Sequence, residues 1–159
     1  MEAYPMKVEK DYEELLELFN RHNVSYCIVG SFALAFYARP RYTKDLDILV
    51  EPTTQNARRI LDALKDFGFG SLALSEDDFT EKGKIIQLGY EPVRVDILTS
   101  LEGMDFNEIW DNRSHGQFGK QQVFFIGLKE FIRVKQAANR GQDKADLEVL
   151  LEVDKKKDK

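Results

Sequence analysis

The sequence predicts a single α/β (α+β) domain, with a mixed, twisted sheet of four or five strands covered by helices. Three observations predict it. Segments with helical spacing alternate with short β-branched and aromatic runs along the chain. The 159 residues suffice for one hydrophobic core but are short for two. No internal repeat or low-complexity linker divides them. The domain is therefore expected over residues 1–153. The last six residues, DKKKDK, are expected to form a solvated, disordered tail over 154–159.

The elements follow in order. Val8, Tyr12, Leu15, Leu16, Leu18 and Phe19 fall at helical spacing, so a helix is expected from Val8 to Asn23, with Asn23 as its stop. Ser25 to Val29 (SYCIV) reads as a buried strand. Gly30-Ser31 breaks it, and FALAFYA follows as a short apolar helix ended by Arg39-Pro40. Lys44 to Val50 (KDLDILV) is the second strand, closed by Glu51-Pro52. Thr53 or Thr54 can cap a helix from Gln55 to Phe67, which Gly68 stops. Phe69 to Lys84 is acidic and irregular. Strands are expected at Ile85 to Tyr90 and Pro92 to Leu98, joined tightly through Glu91. A short helix over Asp105 to Asn112 and a strand over Gln121 to Ile126 come next. Leu128 to Val153 reads as two helices interrupted at Arg140-Gly141-Gln142.

Composition narrows the function classes. Hydrophobic content of 43% and charge of 32% belong to a globular domain rather than a disordered one. The longest apolar runs are far shorter than a membrane span, so no membrane partner is expected. The start, MEAYPMKVEKDYEE, has no basic segment followed by an apolar one, and so is not a secretory leader. The lone Cys27 lies in an apolar run and reads as a buried structural thiol. From these features a cytoplasmic location is expected. A formal net charge of -5 gives no overall field to attract nucleic acid, although Arg39, Arg41 and Lys44 crowd one short segment.

The chemistry is concentrated in three carboxylates and one turn. Side chains two apart on a strand share a face about 6.5–7 Å apart, so Asp45 and Asp47 point together while Leu46 and Ile48 point into the apolar layer. Two carboxylates side by side in a largely buried strand repel and need a cation. A divalent ion with oxygen ligands, magnesium or manganese, would supply it together with substrate phosphates. Asp96, in VRVDIL, adds a third carboxylate from a strand of the same pattern. The competing reading is that these aspartates are edge-strand charges that discourage aggregation. At Gly30-Ser31 a strand runs into a helix, which aims backbone N–H groups and the positive helix end at one spot. Phosphate oxygens bind well there, and the Ser31 hydroxyl adds a donor. A plain helix cap would use the same residues.

Gly30-Ser31, a spacer, Asp45-Leu46-Asp47 and then Asp96 resemble the signature of the nucleotidyltransferase superfamily related to DNA polymerase beta. The wider wording, VGSFALAFYARPRYTKDLDILV and PVRVDILT, is similar to small bacterial nucleotidyltransferases of the abortive-infection (AbiEii) toxin type. The resemblance spans residues 8 to 153 and implies the nucleotidyltransferase fold. It implies that Gly30 and Ser31 hold nucleotide phosphates and that Asp45 and Asp47 bind two magnesium ions. Asp96 would bind one of the ions and help activate an acceptor hydroxyl. Lys135, Arg140, Asp143 and Asp146 resemble a lysine, arginine and aspartate pattern of the toxin-like branch, by which Lys135 could reach the triphosphate. Read from the residues alone, Lys135 could equally snorkel from an amphipathic helix, and Asp143 could cap the last helix. Asp146 could pair with Lys135 or Arg140. Lys44, beside the metal strand, is a candidate phosphate contact.

The implied activity transfers a nucleoside monophosphate from a nucleoside triphosphate to an acceptor that the sequence does not name. A tRNA end, a protein hydroxyl and a small molecule each fit, and a cognate toxin or antitoxin is the implied partner. Little chain remains to build a closed pocket, so a separate acceptor molecule is expected across an open cleft. Arg39, Arg41, Lys44 and Arg94 would then form the rim. The rival class is a non-catalytic or antitoxin-like module of the same fold that binds nucleotide or partner. His22 and His115 are expected at the surface, outside the chemistry.

Overall fold

Helical spacing of Tyr12, Leu15, Leu16, Leu18 and Phe19 produces α1 (Lys10–Arg21), which buries all five against the sheet. The computed structural model describes residues 10–38, 45–70, 72–90 and 93–157. Val8 and the segment Arg39–Lys44, with its expected helix stop and its basic residues, lie outside the described residues. Asn23 ends the first helical segment as expected: it adopts a left-handed φ of 57°, and the N–H of Val24 reaches back to the carbonyl of Phe19 at 2.9 Å.

Six strands follow the chain with their helices between them. β1 (Tyr26–Val29) runs into α2 (Gly30–Tyr37), and β2 (Asp45–Val50) leads to α3 (Thr54–Leu64). Thr53 is the residue that caps α3, accepting the N–H of Asn56 at 3.2 Å. Gly68, at a φ of 107°, breaks the wide turn Lys65–Phe69 that follows. A short 3₁₀ turn at Glu76–Phe79 is the only regular piece of the acidic stretch before the next strand, among the described residues. β3 (Ile85–Tyr90), β4 (Val93–Leu98), α4 (Phe106–Asp111), β5 (Ser114–Phe118) and β6 (Gln121–Phe125) complete the sheet. α5 (Leu128–Ala138) and α6 (Gly141–Lys157) close the chain.

The sheet order is β3-β4-β2-β1-β6-β5. β2 and β4 run parallel, as do β1 and β6, while the other neighbours are antiparallel, so the sheet is mixed. α1 and α3 pack together, α2 lies against β1 and β2, and α5 and α6 pack on each other with α6 touching α2. Aromatic rings knit the layers: Tyr12 meets Phe32 edge-on at 5.8 Å, and Phe36 stacks on Phe125 at 4.1 Å. Cys27 is fully buried, and burial pushes its thiol up to about 12, which agrees with a structural role.

Two expectations are corrected. The sheet has six strands rather than four or five, because Ser114–Phe118 (SHGQF) forms an edge strand. Its sequence is polar since only Phe118 is buried, and Gly116 is there because a Cβ would stand 2.7 Å from the Phe36 ring and 2.8 Å from that of Phe125. The expected tail from 154 is instead helical as far as Lys157, with Lys155, Lys156 and Lys157 in the last turn of α6, where the helix dipole favours positive charge. Among the described residues no helix is long and apolar enough to cross a membrane.

Candidate active site

The turn at the end of β1 and the acidic strand β2 meet through strand pairing. Val29 is the register partner of Asp47, so the next residue, Gly30, begins α2 directly beside the Asp47 carboxylate. Gly30 has a φ of 68°, and a Cβ there would overlap Asp47 Oδ2. Glycine is thus required twice, by the left-handed backbone and by the close approach. On the other side β4 brings Asp96 opposite Asp47 and Arg94 opposite Asp45, in parallel register. Asp45, Asp47 and Asp96 therefore occupy adjacent positions on two neighbouring strands, as the strand period requires.

Electrostatics at this cluster are those of crowded anions. Burial, with the neighbouring charges of Asp96 and Asp45, raises the Asp47 carboxyl to about 7, and Arg94 and Lys135 pull against that rise. Asp45 Oδ1 is buried and has no hydrogen-bond partner among the described residues. Both oxygens of Asp96 are held by Arg94, from Nε at 3.1 Å and Nη2 at 3.0 Å, while Arg94 Nη1 lies 3.9 Å from Asp45 Oδ2. As the side chains stand, no three His, Cys, Asp or Glu of the described residues converge closely enough to encage an ion. The all-oxygen donor set nevertheless suits a hard divalent cation. The orphaned oxygen of Asp45 and the charge-starved Asp47 are the groups such a cation would satisfy.

The cluster opens into a cavity of about 700 Å³. Gly30, Ser31, Asp47 and Asp96 line it, as do Lys135, Asp143 and Asp146 from α5 and α6. Ile85, Leu98, Leu101, Phe131 and Val134 contribute its apolar wall. Ile85 is 66% exposed there. The open cleft expected from sequence is thus a half-open one, lined on a second side by α5 and α6.

Lys135 reaches the cavity already paired, with Nζ 3.1 Å from both Asp143 Oδ1 and Asp146 Oδ2. Asp143 sits in the first turn of α6 and accepts the Arg140 N–H at 3.2 Å and Arg140 Nε at 2.8 Å, so it does cap the helix start. Burial alone would raise its carboxyl, but the hydrogen bonds from Arg140 and Lys135 outweigh that and hold it at about 2. Asp146 pairs with Lys135 and also accepts Gln142 Nε2 at 3.0 Å. Lys44 lies outside the described residues. His22 pairs with Asp66 at 2.7 Å and His115 is exposed beside Phe124, and neither lines the cavity.

Two features were not read from the sequence. Arg94 was expected on an outer rim, yet its guanidinium turns onto Asp96. The i, i+2 spacing of Arg94 and Asp96 on one strand face was the signal for it. The apolar wall carried no local signal, because its residues come from β3, β4, the segment after β4, and α5.

No protein-family model matches the chain, and no curated protein sequence does. Solved structures do. The lincosamide antibiotic adenylyltransferase LnuA, in its lincomycin-bound form, superposes with a TM-score of 0.56 at 15% identity, over 94% of this chain and 99% of that one. A candidate nucleotidyltransferase from Thermotoga maritima gives a TM-score of 0.60 at 15% identity, over 92% of this chain and 96% of that one. An antigenic nucleotidyltransferase-like protein from Paracoccidioides brasiliensis gives 0.53 at 16% identity, over 92% and 77%. The mixed sheet and its helices are thus the fold of the nucleotidyltransferases.

Proposed function

We propose that this protein is a metal-dependent nucleotidyltransferase, moving a nucleoside monophosphate from a nucleoside triphosphate to an acceptor hydroxyl with pyrophosphate leaving. The observation that carries the reading is the contact of Gly30 with Asp47, which joins a phosphate-binding turn to the carboxylate cluster in the lining of a cavity. Asp45, Asp47 and Asp96 would hold magnesium or manganese. When bound, the metal supplies charge neutralisation between the attacking and leaving oxygens. The backbone N–H groups at the start of α2, with the Ser31 hydroxyl, orient the phosphates. Lys135 lines the same cavity. On the family resemblance, Asp96, which lines the cavity, would help activate the acceptor hydroxyl.

The cavity also favours one class of acceptor. A pocket of about 700 Å³ with an apolar wall suits a small hydroxyl compound with an apolar body better than a tRNA end or a protein surface. LnuA, of nearly the same extent, is an adenylyltransferase of a small antibiotic, which supports this choice. A toxin or antitoxin partner has only the sequence resemblance behind it. The pairing of Arg94 with Asp96 favours the rival reading, a binding module in which the third carboxylate serves structure.

One experiment separates these readings. Each of the four triphosphates, labelled at the α-phosphate, is incubated with protein and manganese. The acceptors are tRNA, lysate protein and a panel of hydroxylated small molecules that includes lincomycin. Label entering a small molecule, and lost in Asp47→Asn, is the expected result. Label entering only a macromolecule would overturn the acceptor class. Metal-dependent nucleotide binding with no transfer to any acceptor would establish the binding module.

A further inference from the structure

Arg94 stands where the three carboxylates need a positive charge. Its side chain forks onto both oxygens of Asp96 at 3.1 and 3.0 Å and points Nη1 toward Asp45 Oδ2 at 3.9 Å. Such a bidentate guanidinium–carboxylate pair is among the stronger polar contacts a protein makes. It occupies one lone pair on each Asp96 oxygen and sets a positive charge where a metal would bind. As the side chains stand, the described carboxylates do not converge into a cage, although register places them side by side.

The backbone beneath Arg94 is anchored while its side chain is not. The Tyr12 hydroxyl donates to the Arg94 carbonyl at 3.0 Å and accepts the Arg94 N–H at 3.1 Å, holding β4 to α1. The Arg94 side chain is 32% exposed, against 13% for that of Asp96, so it can rotate toward solvent without unpacking the core. Asp45 Oδ1 lies buried beside this arrangement without a hydrogen-bond partner among the described residues. The guanidinium therefore satisfies Asp96 and leaves Asp45 half-served.

We propose that Arg94 is an internal counter-cation, which neutralises the carboxylate cluster when no metal is bound and which an incoming divalent ion must displace from Asp96. This rests on the metal-dependent reading above. Arg94 is a positioning residue, acting through Asp96. Its effect is a threshold: metal alone competes poorly with the fork, whereas metal arriving with triphosphate brings extra ligands and displaces it.

The test uses the full chain stripped with EDTA, and manganese alone as the probe, followed by calorimetry and by the electron paramagnetic signal of unbound ion. Arg94→Gln is expected to bind manganese more tightly than the wild type, on the order of tenfold or more, from the loss of a competing charge-assisted pair. Arg94→Lys keeps the charge without the fork, and is expected to fall between the two. Manganese should raise the melting temperature of stripped Arg94→Gln by more than that of the wild type. In the wild type, the Arg94 Nε–H resonance should be protected from solvent exchange, and should lose that protection on adding magnesium with a triphosphate. Equal or weaker manganese binding by both variants, or an Nε–H still protected in the loaded protein, would overturn the inference while leaving the metal site standing. No manganese binding by any of the three proteins, with triphosphate present, would overturn the metal-dependent reading and this inference with it.

Discussion

At the scale of single residues the site turns on Gly30. It must supply a left-handed backbone and a surface with no Cβ, and the second demand comes first from Asp47, whose side chain supplies the nearest atoms. Gly83 separates the two demands, since it has a φ of 82° with open space around it. Gly83→Ala should cost only the backbone strain of a left-handed alanine, roughly 1–2 kcal/mol. Gly30→Ala should cost that and the overpacking against Asp47, about 1–3 kcal/mol more. Nucleotide binding should fall with it, because Asp47 or the start of α2 must shift. Denaturant unfolding of both variants, with a nucleotide titration of each, measures this. Equal losses of stability would show that Gly30 serves only its own backbone.

At the scale of elements, α5 and α6 are joined by charge as much as by apolar contact. Lys135 is 14% exposed and its two aspartates are 3% and 6% exposed, so the cluster is largely removed from water. Losing one partner of a buried pair typically costs about 3–5 kcal/mol, because the other charge is left uncompensated. Asp143 retains Arg140, so Lys135→Met is expected to cost about 3 kcal/mol, at the lower end of that range. The loss should concentrate in α5 and α6. Hydrogen exchange should therefore quicken there and leave β1 and β2 protected. A Lys135→Met protein with unchanged stability would mean that these aspartates tolerate burial without Lys135. The packing of this corner against the cavity explains why the pocket has a second wall.

At the scale of the whole molecule, two carboxylates, Asp143 buried and Asp47 half-buried, set opposite pH slopes. Asp143 is held at about 2 against an ordinary 3.8, so its contribution is full above 3.8 and is lost as pH falls through about 2. Asp47 is raised from 3.8 to about 7, so its contribution is full below 3.8 and is lost as pH rises through about 7. From these two groups, the metal-stripped protein should be most stable near pH 4 and should weaken toward neutrality. Asp47→Asn should flatten the arm between pH 4 and pH 7. Magnesium with triphosphate should restore stability at neutral pH and release a proton on binding below pH 7. Thermal unfolding across that range, in EDTA and with metal, checks the slopes. A wild-type curve that does not fall between pH 4 and pH 7 would refute the account of Asp47.

By itself, the sequence determined what local physics can determine. Helical period placed α1, a threonine cap and a glycine stop bounded α3, the break at Arg140-Gly141-Gln142 parted α5 from α6, and short apolar runs placed β1 to β4. The period of two put Asp45 and Asp47 on one face, and Gly30-Ser31 marked the turn, because each of these depends on near neighbours along the chain. The edge strand β5 escaped that reading because its ladder partner, rather than its own polar residues, makes it a strand. Register was decided only by the tertiary structure. Pairing Val29 with Asp47 pressed Gly30 against a carboxylate, and pairing β2 with β4 set Arg94 and Asp96 beside Asp45 and Asp47. The pocket belongs to the same category, since Ile85 meets Leu98 only through the pairing of β3 with β4, and Phe131 and Val134 of α5 are remote from both in sequence yet line the same cavity. Contacts of that kind depend on which segments close on which, and no residue's own preferences encode the distance between them.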